Sequence, residues 1–260
     1  MNSEISPESN KLRVIISIVS HYQDHLISNF FYKIDRNVII NSPYSFAFII
    51  TYNKKKEINH KKEFNFFNIS EIENDTSQSF GKNHNQAFNF IKSDLFIVAN
   101  PDIEFFKGNI NDFIFEFVNS EHSLLVPQII EPKKEAFIPL RNRLSFLELV
   151  KRFFKMVIFR KKSTNFEGFN EEKVFWACGI FMLFNSNIYK EIQGFDESIF
   201  MYYEDADISR RLNLLGKTIN FSKTLTIKHI GTRSSHKNLC LLFSHIYNAI
   251  RVNFYRKWEE

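Results

Sequence analysis

Two cysteines, seven glycines and six prolines in 260 residues exclude several designs at once. Cys178 and Cys240 give neither a disulfide framework nor the spacing of a metal cluster, which points to a reducing compartment. With Gly and Pro so scarce, no flexible or collagen-like segment is expected, and neither an internal repeat nor a low-complexity linker is found. Long apolar runs are lacking too. The longest, Val174 to Phe184, has the length of a core strand and falls short of the ~18 residues of a membrane span. The opening "MNSEISPESNK" is polar and acidic, unlike a secretory leader, so a cytoplasmic protein is expected.

Hydrophobic side chains are plentiful, at 44% with 31 phenylalanines, enough to fill the core of a single α/β domain. The net charge of +5 is concentrated: between Arg141 and Lys162, eight Lys or Arg face the single acid Glu148. Such a cluster attracts anions, whether phosphates, nucleic acid or an acidic membrane face.

Along the chain, "LRVIISIVS" (Leu12 to Ser20) and "SFAFIITYN" (Ser45 to Asn53) read as buried strands rich in β-branched residues. Between them, Leu26, Phe30 and Ile34 recur at helical spacing. "FNFFNIS" is a candidate strand, "GKNHNQAFNFIKS" a helix, and "DLFIVAN" a strand that Pro101 must end. Further on come the strand "VFWACGIFMLF", a helix around "SNIYKEIQGF", and "KTINFSKTLTIKHIG" as one or two strands. This alternation predicts an α/β fold with a Rossmann-like, mostly parallel sheet covered on both faces. Ligands of such sheets bind beyond the carboxyl ends of the strands, where Ser20, Tyr52, Asn53, Asn100 and Asp102 would converge. The expected organisation is a polar segment over residues 1–10, one domain over 11–236, and a basic amphipathic helix over 237–260.

The stretch "FMYYEDADISRRL" raises the sharpest question, because three acids follow an aromatic run directly. Acids in a first helical turn favour the macrodipole, and Asp207 can pair with Arg210 or Arg211. Those rules do not account for Glu204 and Asp205 beside "FMYY". An acid against aromatic walls loses hydration and becomes a better proton acceptor near neutral pH.

Taken with "FGKNHN", "NPDIEF" and "VFWACGIFML" upstream, "GFDESIFMYYEDADISRRLNLLGK" resembles the family 2 glycosyltransferases of the GT-A fold, and among them the bacterial rhamnosyltransferases of O-antigen and cell-wall assembly. The resemblance runs from about Leu12 to Arg233. It implies an inverting enzyme in which Asp205 is the catalytic base and Glu204 orients the acceptor. Trp176, Cys178, Gly179 and Tyr203 would flank the acceptor, although Trp176 reads equally well as core. Asn100, with Asp102 at the end of a reduced Asp-x-Asp motif, would lie at the donor. Asp102 and His229 would hold a divalent ion, magnesium or manganese, against the leaving diphosphate, with Glu104 a further possible ligand. Gly81, Asn83 and Asn85 match the helix entry at the donor nucleotide, though an Asn there also serves as a cap.

One position departs from the family pattern. Tyr52 stands where an Asp usually reads the nucleotide base, while Asn53 is kept, so stacking or a hydroxyl contact would replace the carboxylate. The implied donor is a nucleotide sugar, most simply dTDP-L-rhamnose, and the implied acceptor a saccharide on a polyprenyl diphosphate. The basic stretch Leu144 to Phe159 and the tail, with Leu239, Leu242, Phe243, Ile246, Ile250 and Phe254 on one face, then read as inner-membrane contacts or as ordinary packing helices. No nucleic-acid motif is present. Three alternatives remain open: a transferase of another sugar, a catalytically weak saccharide- or partner-binding protein, and a nucleotidyltransferase, against which the missing Gly- and Lys-rich loop counts.

Overall fold

A computed structural model describes residues 11–54, 56–130, 139–141, 176–231, 248 and 251–252. The basic stretch Leu144 to Phe159 and the predicted apolar face of the tail lie outside the described residues.

The chain opens with β1 (Arg13–Ser20), α1 (Asp24–Lys33), α2 (Arg36–Ile40), β2 (Ser45–Tyr52), α3 (His60–Glu63), β3 (Ile69–Glu73), α4 (Phe80–Phe90) and β4 (Leu95–Ala99). β1, β2 and β4 are short apolar runs with few polar positions, as expected of strands covered on both faces, whereas the edge strand β3 carries three polar residues in five. Asn59 and Ser79 cap α3 and α4 through side-chain oxygens that accept from Lys62 N and Lys82 N. The second half adds β5 (Ile103–Lys107), α5 (Ile110–Val118), β6 (Leu124–Ile130), the two-residue strands β7 (Leu140–Arg141) and β8 (Trp176–Ala177), β9 (Phe181–Asn185), α6 (Ser186–Glu191), α7 (Glu204–Leu214) and β10 (Ile219–His229).

Eight strands form one sheet in the order β3-β2-β1-β4-β9-β6-β10-β5. Pairing is parallel from β3 through β4 and between β6 and β10, while β9 and β5 run the other way. One core lies beneath α1 and α5, around Phe30, Phe48, Phe113 and Phe181, and the other beneath α4 and α7, around Phe96, Phe184, Tyr189 and Phe195. The many phenylalanines thus fill the two layers between sheet and helices.

The apolar run Val174 to Phe184 is not one strand. It breaks after Cys178, whose N still pairs with Pro139 O (2.8 Å) beside β7, because Gly179 N donates instead to a carboxylate oxygen of Asp205 (3.0 Å). A backbone N–H committed to that partner cannot continue a ladder. The break turns this segment across the end of the sheet, where the candidate site lies. Among the described residues, no helix is long and apolar enough to cross a membrane.

Candidate active site

The carboxyl ends of β1, β2, β4 and β10 and the amino ends of β5 and β9 share one rim, which carries most of the expected residues. The reversed strands set its centre. Pro101 ends β4, the chain turns, and β5 leaves antiparallel to β10, with Ile103 opposite His229. Asp102 and His229 are thereby brought together, Oδ2 to Nε2 at 3.3 Å, with side chains 15% and 19% exposed. The main chain adds Ile230 N to Asp102 O at 3.0 Å. Beside them, Asn100 N donates to Ile180 O at 2.9 Å, which ties the Asp102 turn to the segment holding Gly179.

Asp205 enters from the first turn of α7. Its Oδ2 accepts from Gly179 N (3.0 Å) and its Oδ1 from Ala206 N (2.8 Å), while Ser209 Oγ donates to its carbonyl (2.7 Å). A Cβ at position 179 would lie 3.1 Å from Asp205 Cβ, so glycine is what allows this approach. The carboxylate is half-buried and oriented by main-chain donors.

Glu204 is in a different state. Its Oε2 is shut off from solvent and has no hydrogen-bond partner among the described residues. Burial, followed by the Asp205 charge beside it, pushes the carboxyl up to about 8. A carboxyl with a raised folded-state pKa holds its proton more tightly when folded. Its stabilising contribution is complete below its ordinary value of 4.5 and is lost as pH rises through about 8. Thermal stability should therefore fall between about pH 5 and pH 8, by an amount on the order of a few kcal/mol, and Glu204→Gln should flatten that fall. Melting curves of both proteins across the range check this; parallel pH profiles would contradict it.

Asp207, the third acid, is fully buried and pairs with Arg211 at 2.9 Å, an i,i+4 bridge within α7. Arg211 also donates to Ile192 O. Trp176 and Tyr203 pack together, ring centroids 6.0 Å apart, against a small cluster of Ile199, Ala206 and Val252.

Of the residues expected at the donor, Ser20, Tyr52, Gly81 and Asn85 are engaged in other contacts. Tyr52 ends β2 but is only 1% exposed, and its hydroxyl meets His60 Nδ1 (2.6 Å), Glu71 Oε1 (3.1 Å) and Ile58 O (3.4 Å). A ring buried in that way presents neither face nor hydroxyl to a base. The network continues to Asp24, which accepts from Ser20 Oγ (2.5 Å), Glu57 N (2.8 Å) and Ile58 N (3.1 Å). Burial alone would raise the Asp24 carboxyl, but these donors outweigh it and lower the pKa. Tyr52→Phe strands Nδ1 of the fully buried His60 in the interior and should cost about 1–3 kcal/mol of stability while donor affinity stays unchanged. Denaturant titration with nucleotide binding tests this; weakened binding in a protein of normal stability would put Tyr52 back at the donor.

Asn85 Oδ1 accepts from Phe195 N (2.9 Å) and Tyr189 Oη (2.8 Å), and its amide donates to Phe195 O (2.9 Å) and Glu197 Oε1 (3.1 Å). With all its polar capacity so engaged, it joins α4 to the segment leading into α7. Gly81 serves the same junction, since a Cβ there would fall 2.6 Å from Phe195 Cβ. Asn83 is buried on Ser79 O and Asn74. Ser20 is buried on Asp24, while Asn53 clamps Gln78, accepting from its N (2.6 Å) and donating to its O (2.8 Å), and so shapes the loop before α4.

Sequence reasoning missed Asp24, His60 and Ser209. Only Asp24 carries a local signal, an acid four residues after a strand-ending serine. Glu104 lies opposite Lys228, and among the described residues no group of three His, Cys, Asp or Glu could hold a metal ion. Asp102 and His229 thus stand as a pair. A hard oxygen and an imidazole on a solvent-accessible rim fit a divalent ion that takes its remaining ligands from substrate phosphates and water.

This sheet order, with its reversed strands at the centre of the rim, is the GT-A glycosyltransferase fold. Structures of GalNAc-T7 with UDP, GalNAc and Mn2+ (TM-score 0.65, 12% identity) and of the mannosyltransferase PcManGT from Pyrobaculum calidifontis with GDP-Man and Mn2+ (0.62, 10%) share it over 94% and 97% of this chain and 48% and 67% of theirs. TarS from S. aureus with UDP-GlcNAc matches over 93% of the chain and 70% of its own (0.59, 8%). In sequence the chain resembles the family 2 glycosyltransferases. Rhamnosyltransferase WbbL of Escherichia coli strain K12 is 26% identical to it over 163 residues, 55% of this chain and 57% of that protein. The alignment thus spans little more than half of that curated relative. No family model matches.

Proposed function

We propose that the protein is an inverting glycosyltransferase that moves a sugar from a nucleotide donor to an acceptor hydroxyl at this rim. The observation that carries the reading is the arrangement of two chemistries at one end of the sheet. An Asp–His pair suited to a diphosphate-bound cation is joined through Asn100 and Ile180 to a carboxylate held by main-chain donors. Asp102 and His229 are the residues that would hold magnesium or manganese. When bound, the ion neutralises charge developing on the leaving diphosphate.

Asp205, as a carboxylate, takes the proton of the acceptor hydroxyl while that oxygen forms the new glycosidic bond and the sugar–phosphate bond breaks. One displacement of this kind inverts the anomeric centre. Gly179 and Ala206 fix the base, and Glu204, Trp176 and Tyr203 bound the acceptor side. Asn53 sets the loop beside the donor.

The likeness to a rhamnosyltransferase supports rhamnose as the transferred sugar; in this reading it arrives as dTDP-L-rhamnose and goes to a lipid-linked saccharide. Such an acceptor would bring the chain to the cytoplasmic face of the inner membrane. Incubation of the purified protein with dTDP-, UDP- and GDP-sugars and a saccharide–lipid acceptor tests this reading. Transfer from dTDP-L-rhamnose with an inverted anomeric centre is expected. Transfer of another sugar would move the specificity, and retention of configuration would overturn the single displacement.

A further inference from the structure

The turn that delivers Asp205 is strained. Tyr202 and Tyr203 both adopt left-handed backbone angles, φ +68° and +72°, although neither is glycine. Such conformations cost about 1–2 kcal/mol each. Tyr203 is the N-cap of α7 and makes no side-chain cap bond. A strained turn keeps its shape only if neighbouring structure holds it.

The far end of the chain supplies part of that hold. Asn248 Nδ2 donates to Met201 O at 3.0 Å, the carbonyl immediately before the two left-handed tyrosines. Arg251 Nη2 donates to Ser198 Oγ at 2.7 Å and reaches Asp196 Oδ2 at 3.5 Å. Val252 is fully buried against Ile199 and Ala206, with Trp176 and Tyr203 packed on the same cluster. Positions 248, 251 and 252 are related as i, i+3 and i+4, which places them on one helical face. None belongs to the apolar face that the tail's spacing selects. Three polar contacts and one apolar contact therefore bear on residues 196–206, the segment containing the proposed base.

We propose that Asn248 and Arg251 are positioning residues, and that this face of the tail is a strap that fixes the Met201–Tyr203 turn in the conformation that presents Asp205. The inference rests on the reading of Asp205 as the base. Loss of the strap releases the turn toward unstrained angles and swings Asp205 away from Gly179 N. The contacts described for Asn248, Arg251 and Val252 all fall on residues 176 and 196–206, away from Asp102 and His229, so the proposal has donor binding independent of the strap.

The experiment uses the full chain carrying Asn248→Ala, Asn248→Ser, Arg251→Ala or Arg251→Lys. Turnover number and donor KM are measured together with hydrogen exchange at the amides of Ala206 and Asp207. The alanine variants should lose about 10- to 100-fold in kcat with donor KM unchanged, the scale of a misplaced catalytic group. Arg251→Lys, which keeps a cationic donor for Ser198, should recover most of the loss. Exchange at Ala206 and Asp207 should quicken while amides of β1 and β4 stay protected. Unchanged kcat, or a loss accompanied by uniformly faster exchange across the sheet, overturns the strap; the milder Asn248→Ser and Arg251→Lys keep the test open if an alanine variant does not fold. Failure of the parent reading looks different: Asp205→Asn would then turn over like the wild type, whatever the tail variants do.

Discussion

Asp205→Asn should lower turnover by about 10²- to 10⁴-fold while donor affinity stays within about twofold, because a positioned general base contributes that much. The range corresponds to about 2.7–5.4 kcal/mol of barrier, at 1.36 kcal/mol per decade. The amide matches the carboxylate in volume and keeps an oxygen for one of the two main-chain donors, Gly179 N or Ala206 N, while its NH2 faces the other. Because one of these bonds is lost in the variant, its melting temperature and donor affinity are measured beside turnover, and a loss of turnover with both unchanged reports proton transfer. Single-turnover transfer measured alongside calorimetric donor binding separates the two effects. Equal turnover in both proteins would remove Asp205 from the chemistry.

The second large effect concerns the Asp102–His229 pair. Removal of divalent ions with excess chelator should abolish transfer, and magnesium or manganese should restore it. Asp102→Ala should lower turnover by on the order of 10³-fold and weaken metal-dependent nucleotide binding, since among the described residues the ion is offered one carboxylate and one imidazole. His229→Ala should be milder, because water can replace an imidazole as a ligand more readily than it replaces a charge. Their contact at 3.3 Å, reinforced by Ile230 N on Asp102 O, holds the pair in place before any ligand arrives. Full activity in excess chelator would contradict the metal assignment.

Much of this arrangement is legible in the sequence, for physical reasons that can be named. The buried strands announce themselves as β-branched runs, and Pro101 marks where β4 must stop. The acids of α7 stand out because an aromatic run precedes them. Pairing of Asp102 with His229 is not visible in spacing, since it depends on β5 lying antiparallel to β10 across more than 120 residues. Tyr52 reads as a rim residue from its strand position, and only His60 and Glu71, brought in by α3 and β3, show that its hydroxyl points inward. Asn85 reads as a nucleotide contact because helix entries suit anions, whereas its four partners lie around Phe195 and Glu197, more than 100 residues away. The apolar run Val174 to Phe184 hides its break for a related reason: the partner that stops it is Asp205, supplied by another element.

Tyr52 also bears on donor choice. With its ring buried and its hydroxyl engaged, Tyr52 offers a nucleotide base neither a stacking face nor a hydroxyl contact. A site without a carboxylate at that point has less means of demanding one base edge, so donor selectivity should rest more on the sugar and the diphosphate than on the base.

The most direct test of the central claim, that this rim is a metal-dependent nucleotide-sugar site, is calorimetric titration of the wild-type protein and Asp102→Ala with dTDP-, UDP- and GDP-sugars in the presence of manganese. The account predicts saturable binding of at least one donor to the wild type, lost on chelation and strongly weakened in Asp102→Ala. Absence of binding by every donor, or binding that neither chelator nor the substitution affects, would contradict it.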